Sequence, residues 1–129
     1  MKKIVQTIIF NAPIHDVFEL IMDSKKHSAF TGDKAVISRK VGGSFKAYDD
    51  FITGKNLEIV KDKRIVQTWR GSDWPKGVYS KVIFEFEKYE KKTRLKFSQE
   101  DVPKEQYEAI RQGWIDFYWE PMKKFLEEE

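Results

Sequence analysis

Residues Tyr79–Gln99, YSKVIFEFEKYEKKTRLKFSQ, alternate apolar and polar side chains on both sides of a charged turn. Ser80, Val82, Phe84 and Phe86 fall on one face, Lys81 and Glu85 on the other. After Glu90-Lys91-Lys92, Leu95 and Phe97 repeat the apolar face and Arg94 and Lys96 the polar one. A period of two places successive side chains on opposite faces of a strand. One buried and one wet face is the pattern of an antiparallel sheet. A second stretch completes the picture. Tyr107, Ile110, Trp114, Phe117, Tyr118, Met122 and Phe125 recur at spacings of three and four, after Pro103, and predict a long amphipathic helix. A curled sheet and an aromatic helix each need a partner for their apolar surface, and packing them together buries both.

Working outward, Lys3–Phe10 is expected to be a first strand. Asn11-Ala12-Pro13 should start a helix of about three turns carrying Ile14, Val17, Phe18 and Ile21, with Asn11 as cap and Pro13 in the first turn. A short second helix is expected at Ser24–Phe30. Strands follow at Ala35–Lys40, Ser44–Asp49, Phe51–Val60 and Arg64–Arg70. Val41-Gly42-Gly43 and Lys61-Asp62-Lys63 make the first and last of the turns between them. Gly54 is expected to mark a bulge or bend. Gly71–Gly77 is a loop around Trp74-Pro75. Gly113 and Pro121 interrupt the last helix. Pro121 lacks the N–H that the Phe117 carbonyl would accept, which predicts a bend at Tyr118–Glu120. The expectation is one domain over residues 1–129: an α+β, helix-grip protein with a curved antiparallel sheet of six to seven strands around a long C-terminal helix.

Bulk composition excludes several classes. The 129 residues contain no cysteine, so disulfides and thiolate chemistry are ruled out. Lys and Arg number 24 against 21 Asp and Glu, a formal net charge of +3. The two signs are interleaved rather than striped, which argues against nucleic acid. No apolar run reaches the ~20 residues a membrane span needs. Ile4–Phe10 is followed by Asn11 and Pro13, with no small-residue cleavage site of the kind a secretory signal carries. A cytoplasmic monomer is expected.

Local motifs offer little chemistry. His15 and His27 are the only histidines, without metal-ligand spacing. Glu100-Asp101 precedes Pro103 and is explained by complementing a helix dipole. No phosphate loop, dinucleotide fingerprint or nucleophile elbow occurs. No cofactor is expected.

Several short motifs nonetheless occur together and in order: His27-Ser28-Ala29-Phe30-Thr31-Gly32, Gly42-Gly43-Ser44-Phe45, Gly54, Arg64-Ile65-Val66-Gln67-Thr68-Trp69-Arg70, Trp74-Pro75-Lys76-Gly77, and Arg111-Gln112-Gly113-Trp114 with Tyr118. Together they resemble the C-terminal domain of the activator of Hsp90 ATPase, within the Bet v 1/START-like group, over nearly the whole chain. The resemblance implies a sheet gripping the last helix and a non-enzymatic trade in binding. One implied partner is an Hsp90-type chaperone, with Arg70, Trp74, Pro75, Lys76 and the basic turn Lys61–Arg64 as candidate contacts. Such activators also carry a separate N-terminal domain, which has no counterpart here. The other implied partner is a small apolar ligand held between sheet and helix, with Gln67, Trp69, Phe84, Phe97, Trp114 and Tyr118 around the cavity and Arg111 adding polarity. Trp69 reads first as core, and Gly113-Trp114 as close helix packing. Trp74 stays open between partner contact and loop anchor.

Overall fold

The computed structural model describes residues 2–127. Nine residues of alternating pattern, Lys2–Phe10, form β1, and Ile14–Met22 and Ser24–Thr31 form α1 and α2. Six further strands follow: β2 Val36–Ile37, β3 Ser44–Ala47, β4 Ile52–Val60, β5 Arg64–Gly71, β6 Ser80–Tyr89 and β7 Lys92–Val102. All pairings are antiparallel, in the order β1-β7-β6-β5-β4-β3-β2. The chain closes through a short 3-10 turn at Lys104–Gln106, α3 at Tyr107–Trp114, a π-helical turn at Ile115–Trp119 and α4 at Glu120–Glu127. The expected α+β helix-grip architecture is what the chain adopts.

The decisive hairpin pairs as its alternation requires. Phe84 sits opposite Phe97 and Phe86 opposite Leu95, all inward and buried. Arg94, Lys96, Glu85 and Glu87 take the outer face, where Glu87 pairs with both basic residues. Glu90, at φ 58°, turns the hairpin.

Several boundaries differ from expectation for identifiable reasons. Asn11 does not cap α1: extended Pro13 (ψ 153°) holds the N-cap position, and no side chain caps the helix. Only Val36–Ile37 of the expected Ala35–Lys40 strand pairs as a ladder. The Asn56 side chain takes the carbonyls of Ser38 and Lys40 instead, at 2.7 and 3.0 Å, so a buried amide replaces sheet pairing there. β3 stops at Ala47 because Tyr48 and Asp49 turn with positive φ. The β4 register shift lies at Asn56–Glu58, not at Gly54. Gly54 serves close approach: a Cβ there would lie 1.9 Å from the Thr68 carbonyl oxygen. Glu100 and Asp101 belong to β7 rather than to a helix start, and Glu100 lies 3.9 Å from Lys3.

Candidate functional site: the helix–sheet interface and its cleft

The interrupted last helix sets the site. The bend expected at Tyr118–Glu120 appears as the π turn over Ile115–Trp119, beginning earlier than Pro121 alone dictates. Pro121 has no N–H to offer the Phe117 carbonyl, and the Tyr48 hydroxyl donates to that oxygen instead, at 2.6 Å. The wider turn also re-aims the rings. Phe117, assigned to the buried stripe from its spacing, is 57% exposed, whereas Trp119 is buried. A π turn takes more residues per revolution, so α-helical spacing misassigns positions within it, while Met122 beyond it is buried as its spacing predicts.

Trp114 stands at the centre of the interface. Its ring lies 4.4 Å from Phe97, 4.6 Å from Tyr118, 5.3 Å from Trp119 and 5.7 Å from Trp69, centroid to centroid. Its indole N–H donates to Gln99 Oε1 at 2.7 Å. The Gln99 amide donates to Ser80 Oγ, and Ser80 donates to the Trp69 carbonyl. The groups of this buried relay are paired with one another, so their hydrogen bonds offset the cost of desolvation and fix ring orientation. Gln67 is likewise committed, donating to Asn56 Oδ1 at 3.0 Å. Trp119 donates to Gln6 Oε1 at 2.7 Å, which ties the helix to edge strand β1.

His27 and Tyr118 form a second buried pair. Nδ1 of His27 lies 3.1 Å from the Ile21 carbonyl and Nε2 lies 2.8 Å from the Tyr118 hydroxyl. A carbonyl only accepts, so Nδ1 carries the proton and Nε2 accepts from Tyr118. Burial lowers the imidazole pKa to about 4, against a smaller opposing contribution from the Ile21 carbonyl. Burial raises the Tyr118 phenol well above its ordinary value. The imidazole is therefore neutral at physiological pH and acts as a hydrogen-bonded strut. His15 is distant in role, pairing with Asp62 at the surface.

The interface divides into two parts. Where Gln67, Trp69, Phe84, Trp114 and Tyr118 converge, the void is only about 10 Å³, the threshold for one water. Phe84 and Phe97 are packed there and line no larger space. Beside it, an open apolar cleft of about 580 Å³ runs between α3 and the β3–β4 and β5–β6 loops. Ala109, Ile110 and Gly113 form its helical wall, and Tyr48, Phe51 and Trp69 face them. Trp69, Trp114 and Tyr118 thus border the cleft, whereas Gln67, Phe84 and Phe97 lie in the packed interior. Arg111 pairs with Glu108 along the helix. Tyr48, His27, Gln99 and Trp119 were not singled out as site residues from the sequence. Only the deleted donor at Pro121 hinted that the Phe117 carbonyl needed a partner.

The candidate contact loop is internally tied. Trp74 is 4% exposed and packs edge-on against Trp69 at 5.5 Å, so its ring anchors the loop. Arg70 donates to the carbonyls of Trp74 (2.6 Å), Pro75 and Val78 (both 3.3 Å) and lies over the Tyr79 ring. Pro75 and Lys76 are exposed at the tip. The basic turn at 61–63 lies at the other end of β5, roughly 23 Å away at ~3.3 Å per residue. Arg64 beside it is engaged by Glu58 and Glu85. The two basic candidates therefore do not form one patch.

An antiparallel sheet gripping a π-interrupted helix, with a closed aromatic core beside an open apolar cleft, defines a helix-grip domain. Residues 11–127 match the family described as Activator of Hsp90 ATPase homolog 1-like protein, and the chain belongs to that family. It is 28% identical over 109 residues to Activator of 90 kDa heat shock protein ATPase homolog 1 of Homo sapiens, covering 84% of this chain and 32% of that protein. Identity to the Dictyostelium discoideum homolog is 32% over 100 residues, covering 77% of this chain and 26% of that one. The chain thus spans about a third or less of the length of these relatives. The crystal structure of PFC0360w, an HSP90 activator from Plasmodium falciparum, superposes with a TM-score of 0.91 at 26% identity, covering 98% of this chain and 97% of that one. No helix among the described residues is long and apolar enough to cross a membrane.

Proposed function

We propose that this chain is a non-enzymatic, chaperone-associated binding domain that docks on Hsp90 and biases its ATPase cycle. Family membership over residues 11–127 is the observation that carries the reading, supported by the close superposition on an HSP90 activator. His27 acts as a buried strut and His15 makes a surface hydrogen bond with Asp62, which gives both structural rather than chemical work. A binder shifts a conformational equilibrium only through different affinity for the two states. Within the β5–β6 loop, Pro75 and Lys76 are exposed and able to touch a partner, while Trp74 and Arg70 hold the loop in shape. Titration of the chain into Hsp90, following complex formation and ATP turnover, tests this. Saturable binding weakened by Lys76→Glu is expected. No complex at tens of micromolar overturns it.

A second reading is favoured by the cleft itself: the domain also holds a small, largely apolar molecule against α3. A volume of about 580 Å³ lies within the ~300–1,000 Å³ of typical ligand sites. Phe51 and Phe117, both lining it, are 44% and 57% exposed, which leaves apolar surface for a ligand to cover.

A further inference from the structure

The cleft has a polarity that volume alone does not convey. Its walls are aromatic: Tyr48, Phe51, Trp69, Trp114, Phe117 and Tyr118. Among the described residues, its only charged lining residues are Asp33, in the α2–β2 loop, and Asp73, in the β5–β6 loop, and no lysine or arginine lines it. Both carboxylates are exposed at the rim, and neither has an ion-pair partner among the described residues. Some surface carboxylates, Glu19, Glu58, Glu85 and Glu87 among them, are matched to a nearby basic side chain, whereas these two carry uncompensated charge at the cleft mouth. The field of Asp33 reaches inward. Burial, with a further push from the Asp33 charge, raises the Tyr48 phenol to about 12.

Aromatic faces carry negative quadrupole potential and attract cations, most strongly for tryptophan. Unpaired carboxylates at the mouth add to that potential, and no cation opposes it. An anionic headgroup at this rim meets repulsion from both aspartates. A neutral apolar molecule leaves them unused.

We infer that the cleft selects a small organic cation with an apolar body, its tail along Ala109 and Gly113 and its ammonium at the rim between Asp33 and Asp73. This rests on the reading of the cleft as a ligand site and assigns the charge of the ligand. The length of the apolar part is bounded by the cleft, and the head stays within reach of water, as amphipathic side chains do at their own apolar boundaries.

The test uses three ten-carbon probes below their aggregation limits: decyltrimethylammonium, decanol and decanoate. Binding is followed by tryptophan fluorescence and by amide shifts of Gly113 and Phe117. The ammonium probe is expected to bind about tenfold more tightly than decanoate. The Asp33→Asn, Asp73→Asn double variant should bring the two within about twofold, since surface charge pairs contribute modestly. Gly113→Leu, which fills the cleft, should weaken every probe. Equal or tighter binding of decanol or decanoate overturns the charge assignment and leaves the ligand site standing. An ammonium preference unchanged in the double variant also overturns it. No binding by any probe removes the ligand site together with the inference.

Discussion

The two halves of the last helix meet the same sheet and end differently. Along α3 only Trp114 is buried, and the positions facing the cleft include Ala109 and Gly113. Through the π turn and α4, Tyr118, Trp119 and Met122 are all buried. Small side chains leave a gap that the curved sheet does not close; large ones fill it and add hydrogen bonds to Gln6 and His27. Dense packing and open apolar surface are separated along one helix. The packed half holds the fold, so the open half is free to carry a groove.

The largest expected effect strikes the junction of the two halves, where Trp114 at the end of α3 packs on Tyr118 and Trp119 of the packed half. Trp114→Ala should destabilise by about 3–5 kcal/mol, measured as a lower denaturation midpoint. It removes ring packing and strands Gln99 Oε1. A loss under 1 kcal/mol would mean that the packed half does not hold the fold.

Next is acid. The folded imidazole of His27 titrates near 4 and its ordinary value is 6.5, so the unfolded chain binds this proton first as pH falls. The stability is fully present above 6.5 and is lost as pH drops from there toward 4, on the order of 3 kcal/mol for that group. His27→Gln should flatten this window in denaturation curves taken at each pH, whatever its own stability at pH 7.

Tyr48→Phe acts at the boundary between the halves. It leaves the Phe117 carbonyl without its donor, and about 1 kcal/mol is expected. Faster hydrogen exchange should be confined to the π turn and the start of α4. Uniform acceleration across the sheet would show that the contact is not local.

The smallest effect has the opposite sign. A Cβ on Gly113 would meet only Phe117 Cδ2, at 3.7 Å. Gly113→Ala should therefore stabilise by up to ~1 kcal/mol through helix propensity. Probe binding in the cleft should weaken at the same time. Destabilisation instead would mean that the glycine is needed for close packing, as its sequence context first implied.

The sheet was legible because alternation along Tyr79–Gln99 is a local signal that the tertiary structure reinforces at every residue. The site was less so. Trp114 and Tyr118 stand out by size and spacing. Trp119 does not, because the π turn that buries it changes the period on which a sequence is scanned. Trp74 lies in a polar loop, and its burial against Trp69 depends on a neighbour five residues back across a strand end. Tyr48 is inconspicuous until Pro121 is seen to leave a carbonyl for it, 69 residues away. Asp33 and Asp73, 40 residues apart in sequence, are brought to the rim of one cleft only by the tertiary fold. The last two are long-range consequences that no short window contains, whereas Trp119 and Trp74 are hidden by local geometry that departs from a regular period.

The proposed docking on Hsp90 biases its cycle only if the domain discriminates between conformations of the chaperone. Its affinity for Hsp90 should be measured by titration calorimetry with and without a non-hydrolysable ATP analogue that closes the chaperone. Differential affinity predicts tighter binding in one state, by about tenfold for a coupling of ~1.4 kcal/mol. Equal affinity in both states, or no association in either, contradicts the account.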